Sequence, residues 1–535
     1  MLSLTAWALA AVWLQPSPEP PQPALMSGRV VSATTGEPLA RARVSLRQAG
    51  GSQVAFLATA DAQGDFQFEG VPPGSYLLAA EKPGYLRQNL AARASAAGSS
   101  VSVAAGRQVT GLLLKLTPQA ILNGRILDEE GEPIAYAGVS VLRKGYVEGV
   151  RRLVPVREAQ ANELGEFRVA ELGPGRYYLL ASGGGRQRAA ALRLPGARPQ
   201  AYAPAFYPDA PEETTAAPIE LEAGRQLDGL EIRLRRTPLY RVSGRLVLAG
   251  LPEAQGAYRI ALVPRAPGLP AGLFGGAALS KRETFEIPGV LPGSYILTVM
   301  GGDRAGAVLA RQPIEVARGD LEGLVIQLAP PAEVRGAVRL EGPLKADLRS
   351  LRLSLIPAEG PLLALPRSSP QADGAFRFAG VARGSYRLQV SGLPEGAYLK
   401  AARLSGQDAL GRAIELAGPG AMLEVVLAAG AGQIEGVVLK DSGDPEPLCT
   451  VALAPDPPQP YRSDLYKRAE CDAEGRFRLS GIAPGVYKLW AFDELEPGAE
   501  RDPDLLRLYE SQAARIAIES GGSEQVRLKR VAAAR

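Results

Sequence analysis

The chain has 535 residues and is therefore too long for one hydrophobic core. Hydrophobic residues make up 46% of it and charged residues 22%, a composition typical of globular proteins. Its 60 basic and 56 acidic residues are interspersed and leave a formal net charge of +4, so the sequence carries no basic patch of the kind that binds nucleic acid. The chain has no histidine, which excludes Ser-His-Asp and Cys-His catalysis and every zinc site that needs a histidine ligand.

The N-terminal segment combines an uncharged apolar run, LSLTAWALAAVWL at residues 2–14, with the Pro-rich sequence QPSPEPPQP. The run is too short to cross a bilayer as a helix, but it fits the apolar region of a signal peptide. We therefore predict a signal peptide and Pro-rich leader at residues 1–24. The mature protein is expected to be secreted, periplasmic or on the cell surface, with no membrane span.

One segment recurs five times along the chain, first as DAQGDFQFEGVPPGSYLLAA at residues 61–80. In each copy a phenylalanine precedes a glycine by eight residues and a tyrosine by ten. The pairs are Phe66 and Tyr76, Phe167 and Tyr177, Phe285 and Tyr295, Phe376 and Tyr386, and Phe477 and Tyr487. A motif such as GRVV, from Gly28, precedes each copy, and an alternating run such as GLLLKL follows it. Repeats of this size are typical of small domains rather than of solenoid units.

Within each repeat the patterns predict strands, since apolar and polar residues alternate and the 61 glycines and 45 prolines of the chain favour tight turns. The sequence F-x-F, then Pro-Gly, then Y-x-L predicts a β-hairpin with its aromatic residues on one face. The Asp or Asn that precedes the glycine of the first turn is expected to bind its own backbone. Near the C-terminus, DPDLLRLYESQAARI at 502–516 is a candidate helix that Asp502 or Asp504 would cap.

These motifs resemble the carboxypeptidase regulatory-like domain. The first repeat matches at Gly28, at Gly36-Glu37-Pro38, and at Asp61, Gly64, Phe66, Pro73-Gly74 and Tyr76. The second and fifth repeats match well, whereas the third and fourth are degenerate. The resemblance implies a transthyretin-like, seven-stranded Greek-key β-sandwich and a grouping with carbohydrate-binding-like folds. In metallocarboxypeptidases this domain is non-catalytic and follows a catalytic domain.

The predicted fold is therefore all-β, a tandem array of five small Greek-key β-sandwiches. The predicted domains are 25–118, 119–236 with an aromatic and Pro-rich loop insertion, 237–330, 331–430, and 431–535 with a short C-terminal helix. These five ranges are called repeats 1 to 5 below.

The acidic pairs Asp61/Asp65 and Asp472/Glu474 have two interpretations. They could bind calcium or act as acid and base, or they could form turns. The acid is replaced by Asn162 in repeat 2 and lost elsewhere, while glycine and phenylalanine persist, which favours the turn. We predict no metal, no cofactor and no catalytic residue.

Aromatic residues outside the repeated pattern are the candidate ligand contacts. Tyr202, Phe206 and Tyr207 lie among prolines in the insertion at 193–218, and Trp490 lies before an acidic loop in repeat 5. The alternative is that the insertion packs onto its own sandwich and that the segment after Trp490 covers the last one. Cys449 and Cys471 are either a disulfide, if the compartment is oxidising, or two buried thiols.

Three functions follow from these patterns. The first is a non-catalytic adhesion, scaffold or spacer protein of the cell envelope, whose partners are polysaccharide or other surface proteins. The second is a carbohydrate-binding module array that assists polysaccharide binding or degradation. The third, an enzyme that uses carboxylates alone, needs two acids facing each other in a cleft.

Overall fold

The structure is a computed structural model. It describes residues 24–48, 53–89, 101–104, 106, 108–147, 149–183, 198–248, 258–265, 277–280, 284–301, 308–344, 346–358, 360, 365–418, 420–446, 449–472 and 474–531. Residues 1–23 of the predicted signal peptide and leader lie outside the described residues, which start at Ala24, the first residue of a strand. Strands dominate the described part of the chain, which confirms the all-β prediction.

Each repeat begins with a strand that runs through the middle of a small sheet. This opening strand pairs in parallel with the closing strand of its own repeat and lies next to the strand that carries the F-x-F motif. The opening strands are Ala24–Ser32, Ala120–Leu127, Tyr240–Leu248, Ala332–Glu341 and Gly432–Leu439. The F-x-F strands are Asp65–Val71, Glu166–Leu172, Thr284–Val290, Ala375–Val381 and Arg476–Ile482. The closing strands are Gln108–Leu116, Gln226–Arg233, Leu321–Leu328, Ala421–Ala429 and Ser523–Val531.

A second set of strands in each repeat is built around the strand that carries the tyrosine; it forms a separate sheet in repeats 1 to 4, and in repeat 5 it is joined to the first set by the pairing of Ala491 and Phe492 with Arg530 and Val531. This tyrosine strand pairs antiparallel with the second strand of the repeat, which in turn pairs with an edge strand. The tyrosine strands are Gly74–Glu81, Gly175–Ser182, Gly293–Met300, Gly384–Ser391 and Gly485–Phe492. The second strands are Arg43–Gln48, Gly138–Val147, Tyr258–Pro264, Arg352–Pro357 and Thr450–Pro455. The edge strands are Val54–Thr59, Val150–Gln160, Ala277–Ser280, Arg367–Ser368 and Lys467–Glu470.

The remaining strands are short, belong to one repeat, or pair antiparallel with the tyrosine strand of their repeat on the side away from the second strand. The strands are Gln88–Asn89, Val101–Val103, Gln200–Tyr202, Ala205–Phe206, Ile219–Leu221, Arg236–Pro238, Val308–Val316, Ala397–Leu404, Gln407–Asp408, Ala413–Leu416 and Ala514–Ile518. The 3-10 turns are Glu213–Thr215, Leu348–Ser350, Ser463–Leu465, Ala499–Arg501 and Glu510–Gln512, and the α-helix is Pro503–Arg507.

The Pro-Gly turn does not close a hairpin, so the sequence prediction was wrong on this point. The F-x-F strand pairs with the opening strand, whereas the tyrosine strand pairs with the second strand in the other sheet. The turn therefore carries the chain from one sheet to the other as a β-arch. In repeat 1 the arch places Phe66, Phe68 and Tyr76, each 3% exposed, in the core between the sheets. The F-x-F strand and the tyrosine strand both alternate apolar and polar residues, so each buries its apolar face against the other sheet. This alternation determines which face of a strand is buried, but it does not determine which strand pairs with it.

The glycine of the GRVV motif is required by a close backbone approach. A Cβ atom at Gly28 would lie 2.1 Å from the carbonyl oxygen of Leu112 in the closing strand. The equivalent Cβ at Gly336 would lie 2.2 Å from the Leu423 oxygen and 2.3 Å from the Phe376 ring. No side chain fits there, which explains why this glycine occurs at the start of every repeat.

The C-terminal helix is shorter than the sequence pattern predicts. Asp502 caps it as expected, since its Oδ1 accepts hydrogen bonds from the backbone N–H groups of Asp504 and Leu505. The helix ends at Arg507, and Ala514–Ile518 is a strand that pairs with Gly485–Phe492. Tertiary pairing overrides the helical pattern, because residues 514–518 form backbone hydrogen bonds with the tyrosine strand of repeat 5.

The chain forms two compact units. One comprises residues 1–120 with 171–174 and 222–225, and the other comprises 121–170, 175–221 and 226–535. None of the helices in the described part of the chain has the length and apolar character that a membrane crossing requires.

Candidate functional site

The acids of the repeated segment bind their own backbone. The Oδ1 atom of Asp61 accepts hydrogen bonds from the backbone N–H groups of Gln63 at 2.9 Å and Asp65 at 2.8 Å. Asn162 and Asp472 make the equivalent pair of bonds in repeats 2 and 5. Asn can replace Asp because the carbonyl oxygen of an amide accepts the same bonds. The turn interpretation is confirmed.

Asp65, the second acid of the first segment, is paired with Arg29 at 2.6 Å. The hydrogen bond from Arg29 lowers the pKa of Asp65. Both acids of the segment are therefore engaged by neighbouring groups. Within the described residues, no cluster of three or more His, Cys, Asp or Glu side chains is placed to hold a metal ion.

The repeated tyrosine holds the arch. The Tyr76 hydroxyl donates a hydrogen bond to the carbonyl of Pro72 at 3.0 Å, four residues earlier. Tyrosines at the same position in repeats 3, 4 and 5 make the same bond to the carbonyls of Leu291, Ala382 and Ala483. This bond is of the tyrosine-corner type, and in these repeats the tyrosine ring lies in the core rather than on the surface.

The insertion of repeat 2 packs partly into its own sandwich. Phe206 is 6% exposed and belongs to a buried cluster with Leu142, Tyr178 and Leu180. A ligand could reach its ring only if this cluster opened. Tyr207 is half-buried, and its backbone bonds to Leu179 and Ala217, so the loop is fastened on both sides of the ring.

Tyr202 belongs to a polar cluster around the buried carboxylate of Asp128. Its hydroxyl donates to Asp128 Oδ2 at 3.2 Å, and Arg236 binds the same oxygen at 2.5 Å. Burial by itself raises the pKa of Asp128. The pKa is nevertheless lowered overall, because the carboxylate accepts hydrogen bonds from the backbone N–H groups of Glu132 and Glu130 and from the Tyr202 hydroxyl, and because the charge of Arg236 is close to it. The cluster ties the strand Gln200–Tyr202 to Arg236–Pro238, so the Tyr202 hydroxyl has a structural role.

Trp490 is also buried, at 3% exposure, and its Nε1 donates to the backbone carbonyl of Tyr509 at 3.0 Å. It borders a cavity of about 330 Å³ together with Tyr466, Leu506 and Lys488. This arrangement matches the alternative in which the segment after Trp490 covers the sandwich.

Cys449 and Cys471 are bonded to each other, with Cα atoms 5.1 Å apart. They lie at the ends of the paired strands Thr450–Pro455 and Lys467–Glu470, and the backbone N–H of Cys471 donates to the carbonyl of Cys449. The bond therefore fastens the edge strand of repeat 5 to its neighbour.

Repeats 2 and 5 contact each other within the second unit. Arg143 in the second strand of repeat 2 pairs with Glu496 at 3.2 Å. Tyr146 from the same strand packs against the core of repeat 5. Burial, together with the charge of Asp502, raises the pKa of Tyr146 to about 12. The segment that follows Trp490 thus has a packing role that repetition alone does not reveal.

A cleft between repeats 4 and 5 was missed by sequence reasoning. It has a volume of about 570 Å³ and is lined by Lys400, Arg403, Asp408 and Arg412 from repeat 4 and by Tyr461 and Arg462 from repeat 5, among others. These residues lie in segments that the other repeats do not share. The signal that could have found them is the interruption of the repeat pattern at 397–412 and by DPPQPYRSDLY at 456–466.

Comparison with known proteins identifies the repeated unit. Residues 26–116 and 121–235 each match the family described as the carboxypeptidase regulatory-like domain. Repeats 1 and 2 are therefore similar to carboxypeptidase regulatory-like domains. The bounds of the two matched domains lie within the ranges predicted for repeats 1 and 2. No curated protein matches the chain.

Several solved structures are similar to this chain at low sequence identity. The Bacillus anthracis TIE protein is 12% identical, with 74% of this chain and 68% of that chain covered and a TM-score of 0.17. A streptococcal ancillary pilin is 13% identical, with 58% and 100% covered and a TM-score of 0.23. BcpA, the major pilin subunit of Bacillus cereus, is 8% identical, with 95% and 99% covered and a TM-score of 0.15.

Proposed function

We propose that the protein is a non-catalytic scaffold or spacer of the cell envelope, built from five β-sandwich repeats. The observation that carries this proposal is the use of the repeated polar groups. Asp61, Asn162 and Asp472 bind backbone N–H groups, and the repeated tyrosine hydroxyls bind backbone carbonyls. The polar groups that recur thus form hydrogen bonds within the fold, as expected of a domain whose role is structural.

Contacts between repeats add support within the second unit. Arg143 of repeat 2 pairs with Glu496 of repeat 5, and the Arg462 guanidinium of repeat 5 donates to the Leu399 carbonyl of repeat 4 at 3.2 Å. Such contacts restrict the motion of neighbouring domains, which by default move relative to each other. A spacer whose domains are fixed to each other by such contacts would keep an attached group at a constant distance from the cell envelope.

The proposed location is tested by labelling intact cells with a membrane-impermeant amine reagent. The chain is expected to be labelled before lysis, while a cytoplasmic marker in the same cells stays unlabelled. Labelling of the chain only after lysis would contradict an envelope or surface location.

The non-catalytic role is tested with the purified chain and panels of polysaccharides, peptides and esters, with products detected by mass spectrometry. No turnover is expected. Turnover that co-purifies with the chain and disappears on substitution of a single Asp or Glu would overturn the proposal in favour of a carboxylate enzyme.

A further inference from the structure

The cleft between repeats 4 and 5 is formed by two segments that are not part of the strand arrangement shared by the five repeats. On one side, the strand Ala397–Leu404 pairs antiparallel with the closing strand Ala421–Ala429 and extends the small sheet of repeat 4. In the described parts of the other repeats, no strand pairs antiparallel with the closing strand. On the other side lies the loop 456–466 of repeat 5. The cleft of about 570 Å³ is therefore a feature of this junction rather than of the repeated fold.

The two sides are fixed to each other by Arg462. Its guanidinium binds both carboxylate oxygens of Asp464, at 2.8 and 2.7 Å, and also donates to the Leu399 carbonyl of repeat 4 at 3.2 Å. The Arg462 and Asp464 side chains are 14% and 6% exposed. This bidentate pair fixes the orientation of the Arg462 guanidinium, which is therefore already placed to bond to the Leu399 carbonyl on the other side before any ligand arrives.

Two other arginines of the cleft are held only loosely. Arg403 lies 4.0 Å from Glu424, and Arg412 lies 3.8 Å from Asp408. Their side chains are 55% and 75% exposed, and exposed pairs at such distances contribute little. Both guanidiniums can therefore turn toward an anion at small cost. Asp408 is the single acid that lines the cleft, against four cationic side chains.

Tyr461 supplies an aromatic surface beside these charges. The residue is 53% exposed, and the Arg387 guanidinium lies 3.9 Å from its ring centroid. Because Arg387 stacks on one face, the ring orientation is fixed while the remainder stays open to the cleft. A fixed, half-exposed aromatic ring offers contact area at low entropic cost.

We propose that this cleft binds an acidic polysaccharide, whose carboxylate or sulfate groups are held by Arg403 and Arg412 and one of whose sugar rings packs on Tyr461. A planar guanidinium matches the paired oxygens of either anionic group. A folded protein partner fits less well, because such interfaces centre on apolar anchors in desolvated pockets, and this lining is mainly charged and polar. The site deepens the proposed scaffold role by naming what the scaffold attaches to.

The test measures binding of the full chain to immobilised polygalacturonate and to dextran sulfate, with neutral dextran as the reference surface. The wild-type chain is expected to bind both acidic polymers, and less tightly as salt is added, because the contacts are partly ionic. The double variant Arg403→Ala/Arg412→Ala is expected to weaken binding at least about tenfold, and Tyr461→Ala several-fold.

The matched control is Arg43→Ala/Arg235→Ala. These arginines are similarly exposed and similarly paired, Arg43 with Glu81 at 3.8 Å and Arg235 with Asp209 at 3.7 Å. The control removes the same charge at positions outside the cleft, so its affinity is expected to stay within about twofold of wild type. Far-UV circular dichroism and the Trp490 fluorescence of each variant check that the fold is intact.

Three outcomes would overturn the site. They are equal binding to neutral dextran and the acidic polymers, equal loss of binding in the control and cleft variants, or unchanged binding in Arg403→Ala/Arg412→Ala. Binding of poly-glutamate that is as tight and as sensitive to the cleft variants would replace the polysaccharide with an acidic peptide. None of these results touches the scaffold proposal, which depends on surface labelling and absence of turnover.

Discussion

Repeats 1 and 5 share the same arrangement of strands, turns and tyrosine corner, but repeat 5 has further segments that repeat 1 lacks. In both, an aspartate holds the turn before the F-x-F strand, and a tyrosine hydroxyl bonds to the carbonyl four residues earlier. Repeat 5 alone carries a disulfide, the loop that lines the cleft, and the segment that contacts repeat 2. The shared residues build the sandwich, whereas the segments found in repeat 5 and not in repeat 1 contact repeat 2 and line the cleft beside repeat 4.

The largest difference between the two repeats is expected from the disulfide. Reduction, or the double variant Cys449→Ser/Cys471→Ser, is expected to destabilise repeat 5 by about 3 kcal/mol, because the bond restricts a loop of 22 residues in the unfolded chain. Trp490 reports this unfolding, since Trp7 and Trp13 lie in the predicted leader. Hydrogen exchange of the strand Gly74–Glu81 in repeat 1 should be unchanged. Equal loss of protection in both repeats would contradict a local role.

The frame itself is tested at the glycine of the opening motif. Gly28→Ala places a Cβ atom 2.1 Å from the Leu112 oxygen and is expected to cost about 3 kcal/mol in repeat 1, measured by hydrogen exchange of its tyrosine strand. Gly36→Ala is the control, because Gly36 has a φ of +73° but nothing within 4 Å. It should cost only about 1 kcal/mol. Equal effects would mean that close approach does not explain the glycine.

A smaller effect is expected from the tyrosine corner. Tyr487→Phe removes the hydroxyl that donates to the Ala483 carbonyl at 2.8 Å and should destabilise repeat 5 by about 1 kcal/mol. The Trp490 transition in denaturant should shift accordingly. Tyr76→Phe removes the equivalent bond in repeat 1 and should leave that transition in place. A shift in both variants would show that the two repeats unfold together.

Acid is expected to weaken the Asp128 cluster, which repeat 1 lacks. The pKa of Asp128 is lower in the folded chain than in the unfolded chain, so its contribution is complete above the unfolded value of about 3.9 and is lost as the pH falls through the folded value. The wild type should protect the strand Gln200–Tyr202 better than Asp128→Asn at neutral pH. The difference should shrink in strong acid. A difference that is independent of pH would exclude this cause.

The smallest effect is expected at the turn that precedes the F-x-F strand. Asp61→Asn should change the stability of repeat 1 by less than about 0.5 kcal/mol, because Asn162 makes the same two bonds in repeat 2. Asp61→Ala removes both bonds and should cost about 1 kcal/mol. Calcium should leave the stability of wild type and variants unchanged. Stabilisation by calcium that is lost in Asp61→Asn would restore the metal interpretation.

Much of each repeat could be predicted because its signals are local. The turn at Asp61 and the corner at Tyr76 bond to backbone atoms two to four residues away, so their spacing in the sequence is also their spacing in space. The alternation of Phe66 and Phe68 with polar residues likewise fixes the buried face of one strand. The helix cap at Asp502 follows from the same kind of short-range bond.

Contacts between distant segments could not be predicted in the same way. The alternation around Phe66 does not say whether its strand pairs with the next strand or with Ala24–Ser32, and the hairpin prediction failed there. The prolines and aromatics of the insertion did not show that Phe206 enters a buried cluster. The cleft beside Tyr461 joins segments about 50 residues apart that have no common motif.

The sequence by itself determined that the chain is a series of β-sandwich repeats, since residues close in sequence set turns, corners and buried faces through bonds that they make among themselves. Tertiary structure alone decided the parallel pairing of opening and closing strands, the arch between the sheets, and the cleft between repeats 4 and 5. The reason is that strand pairing and surface shape depend on groups brought together only by folding, whose free energy is gained after the loops between them have closed.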